Sequence, residues 1–228
     1  NYITSLEVDG NGDLWVGTNG GFLSYYSSVS HEFVRVPLKL KNGKFNTSRV
    51  NTIFWDSEEY LWVGTEANGL FRLDSLSVKN YNTDNSFLRS NNVLSVNRNE
   101  LSKTLWVGVF SGLNSLSYDS LTINKKVELA GGSILIIEFK GKDILAGTQD
   151  QGIHLLRENG VELYHDPYSA TDLCIDRYSQ EWVGVFNEGI ELFQPDGEVK
   201  LLKHDPNDIN SLANNVVEKI FEDASGNI

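Results

Sequence analysis

The chain has 228 residues, 40% of them hydrophobic, and a formal net charge of −12. This composition is typical of a folded, soluble domain with a well-populated core, and the acidic balance argues against a nucleic-acid partner, which needs a basic face. No apolar run approaches the roughly 20 residues of a membrane-spanning helix, so we expect no direct membrane insertion in this chain.

The first elements in chain order are an alternating run, Ile3–Val8, a polar turn, and the pentapeptide Leu14–Thr18 (LWVGT). The pentapeptide recurs at residues 61–65, 105–109, 144–148 and 181–185. Leu145 stands at the tryptophan position of the fourth copy, and Glu181 stands at the first leucine position of the fifth. A repeat of ~40–45 residues has the length of a four-stranded propeller blade.

Each repeat predicts four strands in the same order. The first is an alternating or apolar run, and these runs are Ile3–Val8, Val50–Trp55, Val93–Asn97, Ile134–Phe139, Asp172–Asp176 and Val216–Phe221. The second strand is the pentapeptide, the third begins at a glycine, and the fourth follows another turn, as at Glu198–Lys203. The runs are short and bounded by turn residues, and none has helical periodicity. We therefore predict an all-β chain, a β-propeller with five complete blades and the first strand of a sixth.

The pentapeptide also predicts how the blades pack. Stacking four-stranded sheets around an axis buries both faces of each sheet, and a tryptophan or leucine in mid-strand is placed to fill the gap between neighbours. The glycine two positions later, such as Gly17, leaves room where a side chain would collide. We interpret the aromatic residue as packing and not as a platform for a ligand.

At this level of detail the repeat resembles the two-component regulator propeller repeat, whose pattern is roughly N-x-V-x-x-I-x-x-D-x-x-G-x-L-W-V-G-T. Residues 2–25 and 49–73 carry the pattern nearly whole, and residues 205–228 match the connector that leads into the next repeat. The resemblance covers essentially the full chain, because the pattern recurs five times in register.

The resemblance implies the periplasmic sensor region of a hybrid two-component system of the Bacteroides type. In that family, two seven-bladed propellers typically precede an immunoglobulin-like domain, a membrane helix and a cytoplasmic histidine kinase. The usual signals are oligosaccharides from polysaccharide breakdown. The implied function is a non-catalytic module that senses an oligosaccharide and regulates polysaccharide-utilisation genes. The implied partners are the adjacent propeller and immunoglobulin-like domains, together with a second copy in a full-length homodimer, and the kinase lies outside this chain.

We assign residues 1–228 to one propeller. The expected blade units are 1–48, 49–91, 92–132, 133–170 and 171–214, with the start of another at 215–228. Seven blades of ~43 residues need about 300 residues, so we expect the chain to be part of a longer, seven-bladed propeller. A closed five-bladed ring is the alternative. The chain starts at Asn1 and lacks methionine, which also suggests a piece of a longer protein.

The turn Asp9-x-Asn11-x-Asp13 looks like the start of a calcium loop. An EF-hand loop needs glycine at its sixth position and glutamate at its twelfth, and here those positions hold Leu14 and Gly20. Only the first aspartate persists in the equivalent turns, which is typical of a side chain that caps its own turn. We expect no metal and no cofactor.

Two alternatives to a sensor stay open, a passive scaffold for protein interactions and a glycosidase. The Asp-x-x-Gly-x-x-Trp turn is also similar to the Asp-box of sialidase-type propellers, which use an arginine cluster, a tyrosine nucleophile and an acid. The arginines of this chain show no evident triad and are Arg35, Arg49, Arg72, Arg89, Arg98, Arg157 and Arg177. His165-Asp166-Pro167 and His204-Asp205-Pro206 lie in equivalent connectors, where we interpret them as turn residues. We therefore predict no catalytic residue.

Ligand contacts are expected where a propeller gathers its loops. Loops between second and third strands, and loops between blades, converge on one face near the axis. Amides, carboxylates and aromatic rings in these loops suit the hydroxyls and faces of sugars. We predict ligand contacts at Arg49, Glu66, Arg89, Phe110, Gln149, Tyr168, Phe186, Asn187 and Glu188. For Phe110 and Phe186 the alternative is packing around the central channel, since a solvated turn gains little from an exposed ring.

Overall fold

The computed structural model describes residues 2–56, 60–86, 88–110, 112–117, 122–127, 129, 132–165 and 169–228. This part of the chain consists of strands joined by turns and irregular segments. No helix in it is long and apolar enough to cross a membrane. The predicted all-β fold class is confirmed.

The N-terminal compact unit, Asn1–Ile134, contains three antiparallel sheets with four strands each, side by side in chain order. The first contains β1 (Ile3–Val8), β2 (Leu14–Thr18), β3 (Leu23–Tyr26) and β4 (Phe33–Val36). The second contains β5 (Val50–Trp55), β6 (Leu61–Thr65), β7 (Leu70–Leu73) and β8 (Val78–Tyr81). The third contains β9 (Val93–Asn99), β10 (Thr104–Val109), β11 (Gly112–Ser117) and β12 (Thr122–Val127).

The C-terminal compact unit, Leu135–Ile228, contains two further sheets of the same kind. One contains β13 (Ile134–Lys140), β14 (Asp143–Thr148), β15 (Ile153–Arg157) and β16 (Gly160–His165). The other contains β17 (Ala170–Ile175), β18 (Glu181–Val185), β19 (Gly189–Phe193) and β20 (Val199–Leu202). The five four-stranded blades are confirmed, whereas the single propeller over 1–228, its blade-unit boundaries and the seven-bladed ring stay predictions.

Residues 216–221, predicted as the first strand of a sixth blade, form no strand. In each of the five described sheets the first strand pairs with its own second strand. The segment instead contacts β17. The Ile220 N–H donates to Asp172 Oδ2 at 2.8 Å, and Lys219 Nζ lies 2.9 Å from Asp172 Oδ1. The repeat pattern predicts a strand here, and the structure shows an irregular segment bonded to β17 instead.

The mid-strand tryptophans and leucines pack between neighbouring blades, as predicted. Trp62 is fully buried and packs in one cluster with Val93 and Leu105 of the next sheet. In the C-terminal unit, Leu145 is fully buried in a cluster with Leu173 of the next sheet. Burial of such side chains is worth roughly 1.5–3 kcal/mol each, so these residues serve packing.

In the first two blades the pentapeptide glycine lies against the first residue of the next blade, whereas Gly147 and Gly184 lie closest to Ile136 and Thr171 of their own first strands. A Cβ on Gly64 would lie 2.6 Å from Val93 Cγ1, and a Cβ on Gly17 would lie 2.5 Å from Val50 Cγ1. The predicted role of the glycine is therefore confirmed, and the group that approaches it is a β-branched side chain. A polar contact also joins the second and third sheets, since Asn51 Nδ2 donates to the Val93 carbonyl at 2.9 Å.

In three of the blades, the aspartate that opens the turn binds both its own turn and the tryptophan. Asp9 Oδ1 accepts hydrogen bonds from the N–H groups of Asn11 at 2.8 Å and Asp13 at 3.1 Å. Its Oδ2 accepts one from Trp15 Nε1 at 2.8 Å. The same indole bond joins Asp56 to Trp62 and Asp176 to Trp182. The turn-cap prediction is confirmed, and the structure adds the partner that a half-buried indole N–H needs.

Substitution of Gly64 by alanine tests the close packing between the second and third blades. The new Cβ would collide with Val93 and with Thr52 Cγ2 at 2.6 Å, so we expect the free energy of unfolding to fall by about 1–3 kcal/mol. Chemical denaturation measures the change. The matched control is Gly10→Ala, whose Cβ would meet nothing closer than 3.4 Å. Equal stability of the two variants would contradict the proposal that Gly64 is needed for this packing.

Candidate functional site

The five loops that follow the second strands share one geometry. The residue directly after each second strand is exposed, and these residues are Asn19, Glu66, Phe110, Gln149 and Phe186. In four loops its backbone N–H donates to a carbonyl that precedes the first strand of the same sheet, as in Glu66 to Arg49 at 2.9 Å and Phe186 to Ser169 at 3.1 Å. Each blade therefore presents one exposed side chain at this position, and in four blades a hydrogen bond fixes the backbone of that residue.

In the N-terminal unit the structure brings Arg49 and Glu66 together. Both side chains are exposed, and their backbones are joined by the hydrogen bond just given. The Phe110 ring is 60% exposed, and its N–H donates to the Asn92 carbonyl at 3.1 Å. Arg89 is half-buried, and its backbone N–H donates to the buried Asn114 side chain at 3.3 Å.

In the C-terminal unit Ser169 brings Gln149 and Phe186 together. The Ser169 hydroxyl donates to the Gln149 carbonyl at 2.8 Å, and the Ser169 carbonyl accepts from the Phe186 N–H. Asn187 has φ of 60°, a left-handed conformation that asparagine tolerates in tight turns. Glu188 forms an ion pair with Lys203. Tyr168 lies outside the described residues.

Phe110 and Phe186 occupy equivalent places, and both rings are more than half exposed, at 60% and 58%. An exposed ring on a rigid turn is available to the face of a ligand. The residues named as ligand contacts nevertheless stay predictions, because no ligand is present to identify them.

A polar cluster that the sequence did not predict surrounds Glu181 in the C-terminal unit. The Glu181 side chain is only 4% exposed. Its Oε1 accepts hydrogen bonds from Lys140 Nζ at 2.7 Å and from the Tyr164 hydroxyl at 3.0 Å, and its Oε2 lies 3.0 Å from His165 Nε2. Burial by itself would raise the pKa of this carboxyl, but the hydrogen bonds from His165, Lys140 and Tyr164 outweigh it and lower the pKa to about 2.

The signal for this cluster lies in three residues of the fourth and fifth blades that depart from the repeat, namely Lys140, Leu145 and Glu181. Lys140 stands where other first strands lead into the turn aspartate, and Leu145 replaces the tryptophan, so the fourth blade lacks both members of the Asp–Trp hydrogen bond. Lys140 bonds instead to Glu181, the residue that replaces leucine in the fifth pentapeptide. The departures at Lys140 and Glu181 therefore complement each other. A cavity of about 270 Å³ opens beside Lys140 and Glu181.

The interpretation of His165 as a turn residue is wrong. Its ring stacks on Phe193 at 3.8 Å between centroids and faces Glu181. The interpretation holds for Asp205, whose carboxylate accepts the Asn207 N–H at 2.9 Å. Asp166 and Pro167 lie outside the described residues.

The calcium-like turn has its carboxylate oxygens engaged. Both Asp9 oxygens accept the hydrogen bonds described above, so they are oriented toward the protein. Among the residues that the structure describes, no group of three or more His, Cys, Asp or Glu side chains could hold a metal ion.

The arginines are engaged separately in ion pairs and ring contacts. Arg72 is buried, lies 3.2 Å from Asp74 and stacks over Tyr60. Elsewhere, Arg157 pairs with Asp143 at 3.2 Å, and Arg177 pairs with Glu222. These pairings occupy arginines that an arginine triad for a substrate carboxylate would need.

Two first-strand carboxyls have raised pKa values. Glu7 in β1 and Glu138 in β13 hold the same strand position, and burial raises the pKa of each to about 7. For Glu138 the negative charge of Asp172 raises the pKa further, and Lys219 partly opposes the shift.

The sequence model of the two component regulator propeller family matches residues 1–20 and 44–67, which include the first two pentapeptides. The family resemblance is thereby confirmed in these repeats. No curated protein matches the sequence.

Solved structures share the fold along nearly the whole chain. One of these structures is the extracellular domain of BT3049 from B. thetaiotaomicron, which is described as a hybrid two component system. Its TM-score is 0.77, with 17% identity over 99% of this chain. The corresponding domain BT4673 has a TM-score of 0.62 at 19% identity over 98%. The chain spans 38% and 36% of those two domains. Virginiamycin B lyase from Staphylococcus aureus has a TM-score of 0.71 at 14% identity, covering 90% of this chain and 71% of the lyase.

The low pKa of Glu181 predicts an acid-sensitive cluster. Because the folded-state pKa lies below the ordinary value of 4.5, the carboxylate contributes stability above that pH and loses it as the pH falls toward 2. We expect Glu181→Leu to reduce this acid-dependent loss by roughly 1–2 kcal/mol. Urea denaturation at several pH values measures it. Glu158→Gln, at an exposed turn, is the control, and identical pH profiles for wild type and Glu181→Leu would refute the assignment.

Glu138 predicts the opposite pH dependence. Its folded-state pKa lies above the ordinary value, so the neutral carboxyl stabilises below pH 4.5, and that stability is lost as the pH rises through about 7. We expect Glu138→Gln to gain roughly 1–2 kcal/mol over wild type at pH 8 and little at pH 4.5. Denaturation at the two pH values measures the difference. A gain of equal size at both would show that titration is not its cause.

Proposed function

We propose that this chain, which carries two component regulator propeller repeats, is a non-catalytic, ligand-sensing module of a hybrid two-component sensor histidine kinase. The match to the family's repeats is the observation that carries the proposal. The fold shared with extracellular domains described as parts of hybrid two component systems supports it. Under this proposal the module lies in the periplasm, and the kinase lies in another part of the protein.

The exposed loops suit an oligosaccharide as the signal. Aromatic rings at Phe110 and Phe186 offer apolar surfaces, and the amide and carboxylate groups at the same position of other loops, such as Gln149 and Glu66, can bind hydroxyls. Four of the five loops are held by a backbone hydrogen bond to their own sheet. Binding residues on loops that a rigid scaffold positions are common in such sites.

The output would be regulation of polysaccharide-utilisation genes. Because the packed sheets resist deformation, occupancy of the loops would pass to the neighbouring propeller and immunoglobulin-like domains and to a homodimeric partner as a change in packing. The separate ion pairs of Arg72, Arg157 and Arg177 favour this sensing role over a sialidase-like one.

Calorimetric titration of the chain with a panel of neutral and acidic oligosaccharides tests the proposal. We expect the triple substitution Phe110→Ala, Phe186→Ala and Glu188→Ala to weaken binding of the recognised oligosaccharide at least about tenfold, since rings in contact with a ligand contribute strongly to affinity. Tyr178→Ala is the control, because Tyr178 is an exposed ring in the turn between β17 and β18, away from these loops. Unchanged affinity of the triple variant would remove the loops as the site.

A further inference from the structure

A cleft in the N-terminal unit gathers three lysines. It has a volume of about 410 Å³ and lies between the turn that follows β4 and the strand β8. Lys39 and Lys41 line it from the turn, and Lys79 and Tyr81 line it from the strand. We call it the lysine cleft.

The turn that carries Lys39 and Lys41 is well ordered by its own hydrogen bonds. The Leu40 N–H donates to the Lys44 carbonyl at 2.8 Å, and a bridge pairs Lys39 with Phe45. Leu40 packs against the hydrophobic core between the first two sheets. Because side chains alternate along an extended segment, the inward leucine directs both flanking lysines outward.

The opposite wall is the outer strand of the second sheet. β8 pairs with β7 on one side, and no strand of the described residues pairs with it on the other. Side-chain amides hold the wall in place, since Asn80 Nδ2 donates to the Asn68 carbonyl at 2.7 Å and Asn85 Nδ2 donates to the Asn80 carbonyl at 2.9 Å. These amides are engaged within the wall, so the charged donors that face a ligand are the ammonium groups.

The charge of this region opposes that of the chain. Residues 33–55 hold five cations and no Asp or Glu, in a chain of net charge −12. Within the described residues, Lys39, Lys41 and Lys79 form no ion pair, whereas Lys140, Lys203 and Lys219 each pair with a carboxylate; no Asp or Glu is among the residues that line the cleft. The nearest acidic residue before β8, Asp74, binds Arg72 and Ser77.

We propose that the lysine cleft binds an acidic oligosaccharide, one that carries two or more carboxylate or sulfate groups. Three unpaired ammonium groups in one cleft repel one another, and a multivalent anion offsets that repulsion. The volume lies within the roughly 300–1,000 Å³ of small-molecule sites. Tyr81 adds an aromatic surface for a sugar ring, and the negative charge of the whole chain disfavours a long polyanion. This inference rests on the proposed function and specifies the charge class of its ligand.

The test is calorimetric titration of the 228-residue chain with four probes. These are trigalacturonate, a sulfated chondroitin tetrasaccharide, neutral maltotriose and a hexaglutamate peptide. We expect at least one acidic oligosaccharide to bind, with affinity that falls severalfold between about 50 and 300 mM NaCl because salt screens exposed charges. The combined substitution Lys39→Gln, Lys41→Gln and Lys79→Gln should weaken that binding at least about tenfold.

The control variant carries Lys103→Gln, Lys142→Gln and Lys200→Gln, which remove the same charge outside the cleft and should leave the affinity within about twofold. Thermal unfolding of both variants verifies that they fold. Binding of neither acidic oligosaccharide, equal binding of maltotriose, equal or tighter binding of hexaglutamate, or equal loss in both variants would overturn the proposal.

The loop variant of the previous subsection separates the two proposals. If it binds acidic oligosaccharides normally while the cleft variant does not, the lysine cleft stands and the loop site fails. If the loop variant loses an oligosaccharide that the cleft variant retains, the sensing proposal stands and the lysine cleft fails.

Discussion

The close contact between the pentapeptide glycine and a first strand is the constraint on which the structure depends. At Gly17 and Gly64 that strand belongs to the next blade, and at Gly147 and Gly184 it belongs to the same blade. Val50 lies where a Cβ on Gly17 would be, and Val93 lies where a Cβ on Gly64 would be. This contact sets the distance between sheets, and the neighbouring tryptophan fills the remaining volume. Because protein interiors are close-packed, neither member can change size without cost. The repeat keeps these positions for this reason.

A rigid interior leaves variation to the loops and outer strands. The residue after each second strand changes from amide to carboxylate to aromatic ring, although the hydrogen bond beneath it recurs in four of the blades. The charge of the outer strands and turns also varies. β8 and the turn after β4 carry the lysines of the lysine cleft, although the chain as a whole is acidic. Both proposed ligand surfaces therefore lie where the packing constraint is absent.

The fourth and fifth blades show how a departure from the repeat is accommodated. Lys140 and Leu145 remove the aspartate and the tryptophan, and Glu181 introduces a carboxylate among buried groups. An unpaired buried carboxylate would be costly, but hydrogen bonds from Lys140, Tyr164 and His165 satisfy it. The repeat pattern reveals that these positions are unusual, and the structure reveals that they belong to one cluster.

The sequence by itself determined the blade plan, because strand alternation, turn residues and the five pentapeptides are local signals. It also located the exposed loop positions, since each follows a second strand at a constant place in the repeat. Only the tertiary structure decided which distant residues meet, as in the cluster around Glu181 and in the cleft that Lys39 and Lys79 both line. It also decided that residues 216–221 form no strand and instead bond to Asp172 of β17, a contact between residues far apart in the chain that no local pattern predicts.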